Sequence, residues 1–224
     1  MTVVVAWDFH GVLEKGNDLA VQAICQAVLL ERDISTPVDI ALIRQLYGLR
    51  WVDYFSTLLP AASTEDHWTC VARAQVISFQ ITDQFLQPND FASDVLSFLQ
   101  EQGAHQLIVS NSHPDRITSF VHHVGLTGYF SHIVGIDKHN KVSPFDIIAA
   151  KAAEVKTFAA QRDATKIFFI GDREEDVLAG CACNATTILY RGPLSGHPGP
   201  TVADHTVVDL REILALISPF LDTF

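Results

Sequence analysis

The sequence predicts an α/β protein in which a Rossmann-like parallel sheet core carries an all-helical cap domain. Short apolar runs alternate with helical patterns at the start of the chain and again after residue 88, which is typical of parallel strands joined by helices. Residues 15–87 have apolar residues at helical spacing and no strand-like alternation. We therefore expect one core domain from residues 1–14 and 88–224, and a helical cap domain from residues 15–87.

Composition supports a folded protein and argues against several classes of partner. The chain has 224 residues, of which 48% are hydrophobic and 18% charged, so a large core is expected and disorder is not. The net charge of −11 disfavours binding to a nucleic-acid backbone. No apolar stretch approaches the roughly 20 residues of a membrane span, and the start of the chain lacks the pattern of a secretory signal. A cytoplasmic protein without nucleic-acid or membrane partners is the expectation.

The first predicted strand is the apolar run at residues 3–7, which ends at Asp8. The helical segment follows. Its first helix is expected to be capped by Asn17 or Asp18, and its second to open at Pro37, because proline suits the first turn of a helix. A break at residues 48–51 precedes a third helical pattern, and a last long one covers residues 65–87.

The remaining core elements alternate between helix and strand. A helix after residue 90 is expected to stop at Gly103, since glycine commonly ends helices. Pro114 and Pro144 each mark a helix start, and another helix begins near Glu174. The predicted strands are residues 106–112, 130–136, 166–172, 186–190 and 205–208, followed by a final helix over residues 210–217.

Polar side chains with related chemistry follow three of these strands. In an open α/β sheet, ligands bind beyond the carboxyl ends of the strands. Carboxylates there are hard oxygen ligands that suit Mg2+, and a carboxylate can also attack phosphorus. Hydroxyl, amide and ammonium groups can hold phosphoryl oxygens. The residues that predict phosphoryl transfer are Asp8, His10, Ser110, Asn111, Lys141, Asp172 and Asp176.

Four segments in order resemble the haloacid dehalogenase superfamily of phosphohydrolases. They are residues 7–13, the strand ending at Ser110 and Asn111, residues 141–144, and residues 171–176. Each motif is short, but all four occur in the family's order and in the expected strand or helix context. The resemblance covers nearly the whole core. The helical segment resembles the cap that the family places after the first motif.

The resemblance implies roles for the residues around a Mg2+ ion. Asp8 would be the nucleophile and a metal ligand, the backbone carbonyl of His10 a second ligand, and Asp172 a third. Asp176 would support the metal's water shell or Lys141.

Further roles concern the substrate. Ser110 and Lys141 would bind the phosphoryl group, and Asn111 would shape its pocket. In the cap, Arg50 is a candidate for contacting an anionic substrate group, against the alternative that it is simply solvated. Trp51 is expected to pack in the cap rather than line the pocket.

The sequence departs from the family pattern at His10. Most phosphatases of the family carry a second aspartate there, which protonates the leaving group and then activates water. Three interpretations stay open. In the first, His10 is itself the acid and base, because imidazole titrates near neutral pH. In the second, only its backbone carbonyl contributes and turnover is slow. In the third, the protein binds a phosphorylated ligand and hardly turns it over.

The sequence thus predicts a Mg2+-dependent phosphohydrolase acting on a small phosphorylated metabolite through an aspartyl phosphate on Asp8. The alternative from another functional class is a catalytically weak or inactive member of the superfamily. Such a protein would bind a phosphorylated ligand or a protein partner.

Overall fold

The computed structural model describes residues 1–137, 144–192 and 202–221. The chain divides into two compact units. Met1–Lys15 and Pro88–Phe224 form one, which we call the core unit, and Gly16–Gln87 form the other, which we call the helical unit. Two short strands, β2 (Glu14–Lys15) and β3 (Gln87–Pro88), lie where the chain leaves and re-enters the core unit.

The core unit is built on a six-stranded sheet. Its order is β5-β4-β1-β6-β7-β8, and every adjacent pair is parallel. The predicted α/β class with a Rossmann-like sheet is therefore confirmed. The strands are β1 (Val3–Trp7), β4 (His105–Ser110), β5 (His132–Gly135), β6 (Lys166–Gly171), β7 (Thr186–Tyr190) and β8 (His205–Val207).

Strand β1 lies in the middle of the sheet because its side chains can be buried on both faces. All five of its residues are buried, and β-branched and aromatic residues suit a strand covered on both sides. Trp7 is in register with Ile108 on one side and Ile170 on the other. The backbone N–H of Asp8 then donates to the carbonyl of Ile170 at 2.8 Å. Asp8 is consequently fixed at the carboxyl end of the central strand.

Five helices accompany the sheet within the described part of the core unit. The predicted starts at Pro114, Pro144 and Glu174 are confirmed. The helices are α5 (Ala92–Glu101), α6 (Pro114–His123), α7 (Pro144–Ala160), α8 (Glu174–Ala182) and α9 (Glu212–Ile217). One apolar cluster joins β1, β4, β6, α7 and α8, and its buried members include Val4, Ala6, Leu107, Val109, Val155, Phe158, Phe169 and Ala179.

The helical unit has its own apolar core. Its helices are α1 (Asn17–Leu30), α2 (Ile40–Leu46), α3 (Trp51–Leu58) and α4 (Thr64–Ile81). Trp51 is buried and packs against Tyr54 and Phe55, with ring centroids 5.8 Å and 6.5 Å away. This agrees with the packing role expected for Trp51. None of the helices that the structure describes is long and apolar enough to cross a membrane.

The predicted cap of the first helix is wrong. Helix α1 is preceded by Gly16 in a left-handed conformation with φ of 103°, and no side chain caps it. The two polar residues expected there have other partners. The Asp18 carboxylate accepts from Arg44 Nε at 2.8 Å, and the Asn17 amide donates to the Tyr47 hydroxyl at 3.2 Å. Hydrogen bonds to Arg44 and Tyr47, elsewhere in the helical unit, thus take the place of the capping hydrogen bond that we predicted.

Two further boundaries of the helical unit differ from the prediction. Helix α2 starts at Ile40 rather than at Pro37, because the carboxylate of Asp39 accepts from the N–H of Ala41 at 2.9 Å and caps the helix there. Helix α4 ends at Ile81 instead of running to residue 87. A 3-10 turn at Thr82–Gln84 follows it.

Candidate active site

Three carboxylates converge at the carboxyl ends of the two central strands. Asp8 follows β1, Asp172 follows β6, and Asp176 lies in the first turn of α8. One oxygen of each lies within 4.8 Å of the others. The Asp172 side chain is 6% exposed and that of Asp176 is 1% exposed. Mutual repulsion of buried carboxylates is costly unless cations neutralise it.

One cation at this cluster is Lys151, on α7. Its Nζ donates to Asp176 Oδ1 at 2.6 Å and to Asp8 Oδ1 at 3.1 Å. The Lys151 side chain is fully buried. A single ammonium group therefore contacts the carboxylate at the end of β1 and the carboxylate in the first turn of α8, and it holds the two close together.

The charges of the cluster alter one another's pKa values. Burial raises the pKa of Asp172 from 3.8 to about 8, with repulsion from Asp8 and Asp176 in the same direction and Arg173 opposing it. Burial also raises the pKa of Asp176, to about 6, against the attraction of Lys151. Burial alone would lower the pKa of Lys151, but attraction to Asp176 and Asp8 outweighs it and raises that pKa above its ordinary value.

The turn between β6 and α8 is shaped to admit the Asp176 side chain. Asp176 Oδ2 accepts from the backbone N–H of Arg173 at 3.2 Å, which caps the helix start. Its side chain also lies directly over Gly171, where a Cβ atom would overlap the Cβ and the carboxylate of Asp176. Glycine at residue 171 is therefore required by the position of the carboxylate.

The carboxyl end of β4, beside β1, supplies hydroxyl and amide groups. Ser110 is buried, and its Oγ lies 3.1 Å from the Oγ of Ser112 and accepts from the Ser112 N–H at 3.3 Å. The Asn111 amide donates to Glu175 Oε2 at 3.2 Å, which links the β4 end to the start of α8. Asn111 Oδ1 is buried and has no hydrogen-bond partner among the described residues.

His10, two residues beyond Asp8, is paired with a buried glutamate. Its Nδ1 lies 2.7 Å from Glu14 Oε1, and the Glu14 side chain is fully buried. The backbone N–H of Gly11 also donates to that oxygen, at 3.3 Å. The imidazole is thus held by a specific partner and does not move freely.

Not every predicted site residue belongs to this cluster. Lys141 lies outside the described residues, so its predicted role stays a prediction. Arg50 belongs to the helical unit, where its Nε and Nη2 donate to the Asp53 carboxylate at 3.1 Å each. Its predicted contact with substrate also stays a prediction.

Sequence reasoning missed Lys151 and Glu14, although both left a signal. Lys151 stands between Ile147 and Val155 at intervals of four residues, so helical periodicity assigns it to the apolar face of α7. A lysine on an apolar face is a candidate for a buried ion pair. Glu14 follows His10 by four positions, in the polar stretch between the first strand and the helical segment.

The donor set fits a divalent cation of the Mg2+ type. Its atoms are carboxylate oxygens, which Mg2+ prefers, and they are close enough to share one ion. Lys151 already engages Asp8 Oδ1 and Asp176 Oδ1. Burial raises the pKa of Asp172, and a bound cation would favour its charged form.

Comparison with known proteins agrees with this fold. A family model described as haloacid dehalogenase-like hydrolase matches residues 2–184. The chain therefore belongs to the haloacid dehalogenase-like hydrolases, and it is a hydrolase by that membership. The resemblance found in its motifs is confirmed. No curated protein matches the chain significantly.

Solved structures of the same fold cover nearly the whole chain. A predicted phosphatase from Clostridium acetobutylicum has a TM-score of 0.75 at 18% identity, covering 98% of this chain and 99% of its own. A predicted phosphoglycolate phosphatase from Haemophilus somnus has a TM-score of 0.76 at 16% identity, covering 95% and 96%. A haloacid dehalogenase family hydrolase from Deinococcus radiodurans, with bound phosphate and sodium, has a TM-score of 0.69 at 21% identity, covering 99% and 98%. At these identities, the likeness establishes the fold.

Proposed function

We propose that this hydrolase is a Mg2+-dependent phosphatase that cleaves a small phosphorylated metabolite through an aspartyl phosphate on Asp8. One observation carries the proposal. The Asp8 carboxylate, at the end of the central strand, is held by a buried lysine within a cluster of three carboxylates. Solved structures of the same fold include proteins described as phosphatases, which favours the same class of substrate.

Asp8 is the nucleophile in this proposal. Lys151 holds Asp8 Oδ1, which restricts rotation of the carboxylate and directs its other oxygen. That oxygen forms a bond to phosphorus while the bond from phosphorus to the leaving oxygen breaks, and the leaving oxygen takes a proton from solvent. In the second half, water attacks phosphorus, the bond from phosphorus to Asp8 breaks, and the carboxylate and free phosphate are restored.

The phosphoryl oxygens need donors, because the transition state spreads negative charge over them. Lys151 supplies a buried ammonium beside Asp8. The Ser110 hydroxyl comes from the adjacent strand end. Asn111 is steadied by Glu175 and shapes the same strand end. Among the described residues, Lys151 is our candidate for the ammonium at the phosphoryl group, and the role predicted for Lys141 stays a prediction.

Mg2+ would be held by Asp8, Asp172 and the backbone carbonyl of His10. When bound, it would neutralise phosphate charge beside the nucleophile. Asp176 supports Lys151, since their atoms form the shortest contact of the cluster. We therefore assign Asp176 to the lysine rather than to direct contact with the ion.

The second candidate is a protein that binds a phosphorylated ligand and hardly turns it over. It is favoured by His10, which replaces the aspartate that most phosphatases of the family use as acid and base. Loss of such a group typically slows a reaction by about 10²–10⁴-fold.

Phosphate release from p-nitrophenyl phosphate, with and without Mg2+, separates the two candidates. We expect Mg2+-dependent turnover that Asp8→Asn abolishes and Asp94→Asn leaves intact, since Asp94 is exposed in the first turn of α5. If wild type and His10→Asp are both inert while inorganic phosphate still binds, the phosphatase proposal is wrong and the binding candidate stands.

A further inference from the structure

A buried polar pair near Asp8 has no part in the chemistry assigned so far. Glu14 lies on β2 and is fully buried, and its Oε1 is 2.7 Å from His10 Nδ1. Its other oxygen, Oε2, is also buried and has no hydrogen-bond partner among the described residues. The pair belongs entirely to the core unit.

Burial makes Glu14 an expensive choice for a position that needs only packing. Desolvation of a buried carboxylate is unfavourable unless partners compensate it. Here one oxygen has partners and the other has none. The carboxylate is better explained by what it does to His10.

The hydrogen bonds at Glu14 determine which ring nitrogen of His10 carries the hydrogen. Oε1 accepts the backbone N–H of Gly11 at 3.3 Å, so it acts as an acceptor. An ionised Glu14 carboxylate can only accept, so the His10 Nδ1 at 2.7 Å is then the donor. In the neutral imidazole this leaves Nε2 as the acceptor nitrogen. Nε2 has no hydrogen-bond partner among the described residues.

Aromatic rings fix the orientation of the same imidazole. The ring centroid of His10 lies 5.0 Å from that of Phe9 and 5.6 Å from that of Phe120, both in edge arrangements. The side chain is 18% exposed. Carboxylate and rings together hold one rotamer and leave a small exposed portion of the ring, as expected for a group that meets a reactant.

We propose that Glu14 is a positioning residue that holds His10 in the Nδ1–H tautomer, so that Nε2 meets the water that hydrolyses the aspartyl phosphate. This inference rests on the proposed phosphatase function. The water oxygen bonds to phosphorus, one of its protons passes to Nε2 and from there to solvent, and the bond from phosphorus to Asp8 breaks with its electron pair returning to the carboxylate. Glu14 touches neither substrate nor phosphorus and acts only through the imidazole.

A double-mutant cycle in the full chain tests this role. Glu14→Met removes the acceptor at similar volume, whereas Glu14→Gln keeps an acceptor oxygen. Each variant is made both in the wild-type background, which keeps His10, and in the His10→Ala background. With p-nitrophenyl phosphate and Mg2+, we expect Glu14→Met to lower kcat by about 10–100-fold, as loss of an orienting partner typically does, with KM little changed. Glu14→Gln should recover much of that loss. The exposed Glu101, changed to Gln, is the control.

The cycle distinguishes positioning from mere structural support. In the His10→Ala background, Glu14→Met should lower kcat by less than about 2-fold, because residues that act through one another are not additive. An equal loss in both backgrounds would show that Glu14 only supports the fold. An unchanged kcat in the His10 background would also overturn the proposal.

A nuclear magnetic resonance measurement separates failure of this inference from failure of the proposed function. Nitrogen-15 shifts of the His10 ring report the tautomer without any turnover. Wild type should show Nδ1–H, and Glu14→Met should lose that preference. A ring protonated at Nε2 in wild type would refute the inference even if the enzyme is active. A wild type without phosphatase activity would refute the proposed function and, with it, the hydrolytic role of the pair.

Discussion

Lys151 Nζ lies 3.1 Å from Asp8 Oδ1, although the two residues are 143 positions apart in the sequence. The contact joins the middle of α7 to the end of the central strand β1. The same nitrogen lies 2.6 Å from Asp176 Oδ1. One buried ammonium thus connects three separate segments of the chain at the site of the proposed reaction.

Replacing Lys151 by Met should damage both activity and stability. Loss of a donor to developing charge typically costs about 10²–10³-fold in kcat. Removal of one partner from a buried ion pair costs about 3–5 kcal/mol, because a buried charge is left uncompensated. Initial rates with p-nitrophenyl phosphate and urea unfolding measure the two effects.

Lys156 on the same helix is the matched control, since it is exposed. Lys156→Met should stay near wild type in both measurements. A Lys151→Met variant with wild-type kcat would show that another cation, such as Lys141, serves the phosphoryl group.

Stability of the metal-free protein should fall as the pH rises from about 4 to about 8. The pKa of Asp172 is raised by burial from 3.8 to about 8, so in this range the folded state keeps a proton that the unfolded state has lost. Stability then decreases with pH, by at most about 1.4 kcal/mol per pH unit for one group. Asp176 contributes in the same direction up to about pH 6.

Thermal unfolding of wild type and Asp172→Asn over that range isolates the effect. The variant has no carboxyl group at residue 172 to titrate. Without metal it should therefore become more stable than wild type as the pH approaches 8. Mg2+ should raise the Tm of wild type more than that of the variant. A difference between the two proteins that does not change with pH would contradict the account.

Gly171→Ala should displace the Asp176 carboxylate. A Cβ atom at residue 171 would overlap the side chain of Asp176, and overpacking a buried site typically costs about 1–3 kcal/mol. Because Asp176 holds Lys151, kcat should fall with stability.

Gly128→Ala is a suitable comparison for this variant, since a Cβ atom there meets nothing within 4 Å. Its effect on the free energy of unfolding should stay within about 0.5 kcal/mol, as for most exposed substitutions. Equal unfolding free energies and equal kcat for the two variants would refute the role of Gly171.

The strands of the core were predictable because each is a short apolar run that ends at a polar residue or a turn. β1 and β6 show this most clearly, and their ends brought Asp8 and Asp172 into one predicted site. The family resemblance then supplied roles for them. Whether the helical unit acts as a cap over this site stays a prediction.

The parts that sequence reasoning missed depend on tertiary contacts. The start of α1 was misjudged because Asp18 and Asn17 bind Arg44 and Tyr47 instead of capping the helix. Lys151 was overlooked because a helical lysine usually extends to solvent. Only the fold shows that its face of α7 packs against the ends of β1 and α8.

Trapping the phosphoenzyme tests the central claim, that Asp8 is the nucleophile. The protein would be mixed with p-nitrophenyl phosphate and Mg2+, quenched in acid and reduced with borohydride, which converts an aspartyl phosphate to homoserine. Peptide mass spectrometry should then find homoserine at residue 8 and nowhere else, and none in Asp8→Asn. Mg2+-dependent turnover with Asp8 unmodified, or with the modification at another carboxylate, would contradict the account.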